Sequence, residues 1–364
     1  MARIRPEIDS LTPYEGGATI DEIARRYGVE DIVKLGANEN PLPPFPEVQE
    51  ALVAAAAGIN RYPDHGAVRL AESLADTVGV APDHLWFGAG SSELLTTTAI
   101  ALGGRGRSCV YPWPSFSMYP INSTLANAES VTVPLDETHG VDLDALLAAI
   151  RDDTTLVYLC NPNNPTGTYL PLSEIQAFVD QVPDGTLVVV DEAYGEYVAA
   201  EDRPSAIPLT VERPNVTVAR TFSKIYGLAG LRIGYMVGRP ETLRSLRKAQ
   251  IPYVVNSLGQ VAATTALRFP ERVRERFDMN RAGVAYVEAA FGERGIEFAH
   301  TQANYVWTRL GPGTRPIIQA LLERGTIIRP VSDEWARVSI GTPRENRRFV
   351  ADLDAVLATS EACR

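Results

Sequence analysis

The sequence is poor in the residues that build disulfide frameworks and metal sites. Its 364 residues include only three cysteines, Cys109, Cys160 and Cys363, an odd number at wide spacing. A chain long enough to bury a core does not need disulfides, so we expect free thiols and a reducing cytoplasm. None of the four histidines has a metal-ligand spacing to another histidine, a cysteine or an acidic residue. We therefore predict no catalytic metal.

The sequence also lacks an excess of positive charge and a long apolar run. Its 34 basic and 45 acidic side chains give a net charge of −11, which is the wrong sign for binding a phosphate backbone. The basic residues near the start are not followed by an apolar block, and no run approaches the length of a membrane span. We expect a cytoplasmic protein that binds neither nucleic acid nor membrane.

Segments of helical and strand character alternate over the first two thirds of the chain. Apolar residues recur with helical periodicity at 46–57, 67–78, 143–150 and 172–182. Short apolar runs rich in β-branched residues lie at 155–160, 186–190 and 216–219. Such runs are typical of strands that are buried on both faces of a parallel sheet. The alternation predicts an α/β fold in which helices flank a mostly parallel sheet.

The pattern changes after about residue 251. Long helical patterns at 257–268 and 271–294 precede shorter segments of mixed type. These are predicted strands at 303–308, 326–329 and 337–340 and predicted helices at 317–324 and 343–359. We predict an N-terminal arm over residues 1–35, a large domain over 36–250, and a small α+β domain over 251–364.

Polar clusters follow the three predicted strands of the large domain. They occupy residues 161–167, 191–194 and 220–224, and a fourth cluster at 88–93 precedes a helical pattern. Ligands of open parallel sheets bind beyond the carboxyl ends of the strands, and free N–H groups at a helix start can bind phosphate. Together the clusters contain a lysine, a carboxylate and an anion site, which are the groups that pyridoxal phosphate chemistry requires.

The motifs are specific enough to indicate a family. Ser-Lys-Ile-Tyr-Gly-Leu-Ala-Gly-Leu-Arg-Ile-Gly at 223–234, with Asn-Asn-Pro-Thr-Gly at 163–167 and Asp-Glu-Ala-Tyr at 191–194, resembles the fold-type I, pyridoxal-phosphate-dependent aminotransferases. The segments at 11–14, 37–41, 60–63 and 337–342 resemble histidinol-phosphate aminotransferases and bacterial aromatic amino acid aminotransferases.

The resemblance implies roles for residues around the cofactor. Lys224 is expected to bond to the cofactor and to move the substrate proton, and Asp191 to pair with the ring nitrogen. Tyr194 and Asn164 are expected to bond the phenolic oxygen of the cofactor, and Phe116 to stack on its ring. The expected phosphate ligands are Ala89, Gly90, Ser91, Thr221, Ser223 and Arg232.

The same resemblance implies a homodimer with a composite active site, because Tyr62 matches the residue that reaches the cofactor phosphate of the neighbouring subunit. It also indicates a substrate-anion site. Arg337 matches the family's substrate arginine, and Asn164, Arg329 and Tyr14 are further candidates. Two guanidinium groups and a phenol suit the phosphate of L-histidinol phosphate, with 2-oxoglutarate as amino acceptor.

Three alternatives remain open at this stage. The segments at 113–116, 252–256 and 302–307 resemble the aromatic branch, whose substrates carry a carboxylate and no phosphate. A pyridoxal-phosphate decarboxylase, such as a threonine-phosphate decarboxylase, shares the cofactor motifs. A non-catalytic binding protein of the same fold would have lost the lysine or gained a DNA-binding segment, and Lys224 is present.

Overall fold

The computed structural model describes residues 3–9, 11–14, 16–199 and 205–362. Two of the three cysteines, Cys109 and Cys160, are buried free thiols, and Cys363 lies outside the described residues. None of the helices in these ranges is long and apolar enough to cross a membrane.

The described residues form two sheets with helices around them. The strands are β1 (Val33–Leu35), β2 (Leu85–Gly88), β3 (Ser108–Trp113), β4 (Glu129–Pro134), β5 (Thr154–Cys160), β6 (Leu187–Asp191), β7 (Val216–Thr221), β8 (Gly234–Val237), β9 (Glu297–Ala299), β10 (Tyr305–Arg309), β11 (Thr326–Pro330) and β12 (Trp335–Ser339). The large sheet has the order β2-β8-β7-β6-β5-β3-β4, and only β8 runs antiparallel to its neighbours. The predicted α/β class is therefore confirmed.

The helices cover both faces of the large sheet and one side of the small one. They are α1 (Pro6–Asp9), α2 (Ile20–Tyr27), α3 (Pro46–Ala55), α4 (Val68–Val78), α5 (Ser91–Leu102), α6 (Met118–Leu125), α7 (Leu143–Ala148), α8 (Leu172–Val179), α9 (Ile207–Glu212), α10 (Pro240–Leu246), α11 (Ser257–Ala266), α12 (Pro270–Glu293), α13 (Thr314–Glu323) and α14 (Pro343–Ala362).

The central strands are apolar on both faces because both faces are covered. In β5, Leu156 and Tyr158 join one buried cluster, which includes side chains of α5, α6 and α10. Val157 and Leu159 point to the other face and join a larger cluster with side chains of α3, α4, α8 and α11. This side-to-side alternation has the period of a β-strand, and the absence of polar positions follows from burial on both sides.

The small sheet corrects one of our expectations. It has the order β1-β11-β12-β10-β9, and its first strand comes from the segment that we predicted as an arm outside the core. Val33 and Leu35 are each 2% exposed and pack in the small sheet's own core. Three residues are too few to show a periodicity in sequence, and the parallel partner, Thr326–Pro330, is almost 300 positions away.

Helix α11 lies beyond the boundary that we predicted at residue 251. It nevertheless packs in the core that covers one face of the large sheet. Its residues Ala262, Ala263 and Ala266 belong to the buried cluster of α3 and α4. Asn256 caps this helix by accepting a hydrogen bond from the Gly259 N–H at 2.7 Å. The division of the chain into an arm and two domains stays a prediction.

Candidate active site

The site lies where three parallel strands end side by side. Cys160 of β5 is in register with Asp191 of β6, and Asp191 is in register with Ala219 of β7. The segments that follow these strands therefore meet at one edge of the sheet. They enclose a cavity of about 230 Å³. The predicted site residues that line it are Tyr14, Ser91, Phe116, Asn164, Asp191, Tyr194, Thr221, Ser223, Lys224 and Arg232.

Lys224 stands in the turn after β7, half-buried, with its Nζ atom 5.5 Å from the centre of the Tyr194 ring. Burial lowers the pKa of its ammonium group to about 8, and the nearby guanidinium of Arg337 adds to the effect. At pH 7 about a tenth of such a lysine is a neutral amine, far more than for an ordinary lysine, and the neutral amine is the form that acts as nucleophile and base.

Asp191 is the last residue of β6 and is 2% exposed. Burial raises the pKa of its carboxyl group to about 6, and a hydrogen bond from Tyr119 opposes this rise. The Tyr119 hydroxyl donates to Oδ2 at 3.0 Å, and the Ala193 N–H donates to Oδ1 at 3.2 Å. The carboxylate is thus ionised at neutral pH, oriented from two sides, and able to pair with a cation in the cavity.

Sequence reasoning missed Tyr119, which lies in the first turn of α6, just after Phe116. The only available signal was spacing, since residues three apart at a helix start lie on the same side. The Phe116 and Tyr119 rings meet edge to face with their centres 5.7 Å apart. The Tyr119 ring also stacks on the Tyr158 ring, with 4.4 Å between the ring centres. These contacts place Phe116 at the cavity and hold the Tyr119 hydroxyl on Asp191.

An anion cradle lies at the N-terminus of α5. Gly90 precedes the helix with φ +78, and a Cβ there would lie 2.5 Å from Nη2 of Arg232. Any other residue would be strained at this φ and would displace the guanidinium of Arg232. Arg232 Nη2 also donates to the Ala89 carbonyl at 3.4 Å, so Ala89 lies beside the cradle although it does not line the cavity. Free N–H groups of the first helical turn and a guanidinium together favour a phosphate.

Two hydroxyl groups complete this cradle. Thr221 Oγ1 donates to Ser223 Oγ at 2.9 Å, and Ser223 Oγ also accepts from Arg232 Nη1 at 3.3 Å. The hydroxyls, the guanidinium and the helix N-terminus converge on one end of the cavity, and Lys224 and Asp191 line the same cavity. The residues present therefore fit a phosphate-bearing ring cofactor whose ring nitrogen is cationic.

Tyr194 and Asn164 line the cavity between Lys224 and the small sheet. Asn164 Nδ2 donates to the Tyr194 hydroxyl at 3.4 Å, and Asn38 Nδ2 donates to the same oxygen at 3.0 Å. Sequence reasoning gave Asn38 no role. The only signal was its place in the 37–41 motif, which contributed to the family resemblance alone.

A second cavity, of about 500 Å³, adjoins the first and shares Tyr14, Phe116 and Asn164 with it. Arg329 and Arg337 line this cavity and face each other in the register of β11 and β12. Like charges directly opposite each other in a sheet destabilise it, so the pair indicates an anionic ligand. The Arg329 guanidinium also lies 5.9 Å from the centre of the Tyr14 ring.

Arg337 is held firmly by its neighbours. Nη1 donates to Asn164 Oδ1 at 2.5 Å and Nη2 to the Gly36 carbonyl at 3.1 Å, while the buried Nε has no hydrogen-bond partner among the described residues. Burial lowers the pKa of this guanidinium, the phenols of Tyr194 and Tyr305 oppose the shift, and the charge of Arg329 acts in the same direction as burial. Its positive charge is therefore available to a ligand.

Among the predicted site residues, Ala89 and Gly90 flank the first cavity without lining it, whereas Tyr62 lies away from both cavities. Its side chain is 82% exposed, and its ring stacks on Tyr253 at 4.6 Å. Contact with a cofactor would require a second copy of the chain, so the role of Tyr62 stays a prediction.

The sequence matches a known protein family and characterised relatives in that family. The family model described as aminotransferase class I and II matches residues 30–353. The chain is 39% identical to histidinol-phosphate aminotransferase 2 of Hydrogenovibrio crunogenus, over 98% of this chain and 97% of that protein. It is 42% identical to the aromatic amino acid aminotransferase of Thermobifida fusca, over 95% of each.

Among solved structures, the histidinol-phosphate aminotransferase of Sinorhizobium meliloti in complex with pyridoxal-5'-phosphate superposes with a TM-score of 0.91. It is 29% identical in sequence, and the match covers 99% of this chain and 98% of that one.

Proposed function

The chain belongs to the class I and II aminotransferase family, and from this premise we propose that it transfers the amino group of L-histidinol phosphate to 2-oxoglutarate. The family resemblance read from the motifs is confirmed, and pyridoxal phosphate is the cofactor. The choice of substrate rests on Arg329 and Arg337. These two residues lie directly opposite each other on β11 and β12 and line the cavity that adjoins the one containing Lys224.

Pyridoxal phosphate, when bound, supplies an electron-withdrawing ring that carries the amino group between the two substrates. Lys224 holds the cofactor covalently, and Asp191 keeps a proton on the ring nitrogen through its ionised carboxylate. Phe116 covers one face of the ring. The phosphate group is held by residues of the cradle, namely Ala89, Gly90, Ser91, Thr221, Ser223 and Arg232.

When its amine is not bonded to the cofactor, Lys224 also moves the substrate proton. With a pKa of about 8, its amine is neutral often enough to remove a proton from the carbon that bears the amino group. The resulting ammonium group can return the proton, because a base works best when its pKa lies near the working pH. The Tyr194 hydroxyl and Asn164 orient the cofactor from the side of the small sheet.

Arg329, Arg337 and Tyr14 anchor the anionic end of the substrate. A phosphate carries up to two negative charges and three acceptor oxygens, which match two guanidinium groups and a phenol better than a single carboxylate does. Asn164 accepts from Arg337 and so fixes the guanidinium beside the cofactor. After the first product has left, the same two arginines can bind the two carboxylates of 2-oxoglutarate.

The second candidate is aromatic amino acid aminotransfer. The walls of the larger cavity include Trp113, Phe116, Trp307 and Trp335, and Trp307 stacks on Trp335 at 3.8 Å. An indole-lined cavity suits a larger aromatic side chain, and the Thermobifida fusca relative carries that name. In this alternative Arg337 binds the substrate carboxylate, and Arg329 remains without an anion.

We propose that the enzyme works as a homodimer in the cytoplasm. Tyr62, Tyr253, Ile59 and Ile251 are large apolar side chains that are each at least 47% exposed, and covering them requires a partner. A second copy that placed Tyr62 at the neighbouring cofactor would complete both sites. Sedimentation with a Tyr62→Ala variant tests the assembly, and cell fractionation tests the location.

The substrate test compares two amino donors. Cofactor-loaded protein is mixed with L-histidinol phosphate or L-phenylalanine, and the cofactor's absorbance reports uptake of the amino group. We expect the rate per unit concentration to favour histidinol phosphate by about tenfold or more. The variant Arg329→Leu should lose more activity with histidinol phosphate than with phenylalanine. Preference for phenylalanine would support the second candidate, and turnover without 2-oxoglutarate would indicate a decarboxylase.

A further inference from the structure

Asn38 is a buried polar residue that links the two sheets at the edge of the cofactor cavity. It follows β1, is 1% exposed, and has φ +52, a left-handed conformation that asparagine tolerates better than most residues. The motif at 37–41 that contains it was singled out from the sequence without a function. Its neighbour Ala37 lines the same cavity as Lys224.

The side-chain amide of Asn38 is fixed in one orientation. The Asn38 N–H donates to Ser339 Oγ at 2.8 Å, and the hydroxyl of Ser339 donates back to Asn38 Oδ1 at 3.0 Å. Asn304 Nδ2 donates to the Asn38 carbonyl at 3.2 Å. With the amide oxygen on Ser339, the amide nitrogen points to the Tyr194 hydroxyl, 3.0 Å away.

Asn164 approaches the same hydroxyl, and its orientation is also fixed. Its Oδ1 accepts from Arg337, which can only donate, so its Nδ2 faces Tyr194 at 3.4 Å. The phenolic oxygen therefore accepts two N–H donors. A hydroxyl has two acceptor positions and one hydrogen, so only the hydrogen of Tyr194 remains uncommitted, and it must point away from both asparagines.

We propose that Asn38 is a positioning residue that, together with Asn164, directs the Tyr194 hydrogen into the cavity, where it donates to the phenolic oxygen of the cofactor. The inference rests on the proposed function for the role of Tyr194. It explains why a buried amide in a left-handed conformation stands at this point, where a glycine would satisfy the backbone alone.

Burial keeps the hydrogen of Tyr194 on its phenol. Burial raises the pKa of this phenol well above its ordinary value, and Asp191 and the Cys160 thiol act in the same direction. Arg337 and the hydrogen bond from Asn38 oppose the rise in this pKa, and Nζ of Lys224 lies 5.5 Å from the centre of the ring. The phenol is therefore neutral near neutral pH and carries the hydrogen that Asn38 directs.

The variant Asn38→Asp tests the proposal because it replaces the donor with an acceptor of the same shape. The Tyr194 hydroxyl then turns to donate to the new carboxylate, and the cofactor loses that hydrogen bond. The cofactor-loaded enzyme is titrated with pH in the absence of any amino substrate, and the midpoint of its absorbance change is measured. We expect the midpoint to rise by about one pH unit.

Two further variants keep the test decisive if Asn38→Asp is unstable. Asn38→Gly removes the side chain without strain at φ +52 and should raise the midpoint by a smaller amount. Asn280→Asp is the matched control, since Asn280 is 3% exposed and donates only to the Ala303 carbonyl among the bonds found for its side chain in the described residues. It should leave the midpoint unchanged.

The variant Tyr194→Phe tests whether Asn38 shifts the absorbance midpoint through the Tyr194 hydroxyl. In a Tyr194→Phe background, Asn38→Asp should shift the midpoint by less than a third of its effect in the wild type. Full additivity, or wild-type midpoints in both Asn38 variants, would overturn the proposal. Because no amino donor is present, a wrong substrate assignment would leave this result unaltered, whereas the two-donor comparison would reveal it.

Discussion

Replacing Asp191 with asparagine should stabilise the cofactor-free protein, although the same change should impair catalysis. The carboxylate is 2% exposed and has only the Tyr119 hydroxyl and the Ala193 N–H as donors among the described residues. Burial raises its pKa from 3.8 to about 6. The folded state therefore binds this proton more tightly than the unfolded state, and the ionised carboxylate destabilises the fold at neutral and alkaline pH.

The size and the pH dependence of the effect follow from the two pKa values. Each pH unit between them is worth ~1.4 kcal/mol, so above pH 6 ionisation costs the folded state about 3 kcal/mol. The folded-state pKa already includes the hydrogen bond from Tyr119, and a neutral amide corresponds to the protonated carboxyl. We therefore expect Asp191→Asn to add about 3 kcal/mol to the free energy of unfolding near pH 8. At about pH 4.5 the folded-state carboxyl is protonated and only the unfolded state ionises, so the expected gain falls to about 1 kcal/mol.

Urea unfolding of the cofactor-free protein, followed by circular dichroism at both pH values, measures this difference. Asp152→Asn is the exposed control. A variant that is less stable than the wild type near pH 8, or a gain of equal size at both pH values, would refute the assignment of the cost to a buried carboxylate.

Three other changes probe neighbouring parts of the site. Gly90→Ala places a Cβ 2.5 Å from Arg232 Nη2 and should weaken cofactor binding by about tenfold or more in a fluorescence titration; unchanged affinity would contradict the cradle. Arg337→Lys loses the planar donor pair and should raise KM for the anionic substrate by about tenfold or more, which steady-state kinetics would measure. Tyr119→Phe removes a donor to Asp191 and should raise that pKa from about 6 by about one pH unit, as carbon NMR of the carboxyl group would show.

The centre of the site could be predicted because it depends on neighbouring parallel strands. Buried runs at β5, β6 and β7 are visible in sequence, and the ends of such strands meet at one edge. Asn164, Asp191 and Lys224 therefore had to converge. The strands β2, β3, β4 and β8 were not predicted; two of them have only four residues, and a short apolar run cannot be told from other buried segments by periodicity alone.

The residues that support this centre could not be predicted from local patterns. Tyr119 contacts Asp191 across 72 positions, and Asn38 contacts Tyr194 across 156. Neither pair has a spacing that helix or strand periodicity would reveal, because each forms only when separate elements pack together. The opposition of Arg329 and Arg337 depends on the register of β11 and β12, which the sequence leaves open.

The central claim is that Lys224 carries the cofactor, and the composition of the chain makes a direct test simple. The sequence has three lysines, Lys34, Lys224 and Lys248, and Lys34 is engaged in an ion pair with Glu39. Reduction of the cofactor-loaded protein with borohydride, followed by digestion and mass spectrometry, identifies the modified lysine. We predict the cofactor's mass on the peptide that contains Lys224 and its absence from Lys224→Ala. Modification of Lys34 or Lys248 alone, or persistence of the cofactor's absorbance and full turnover in Lys224→Ala, would contradict the claim.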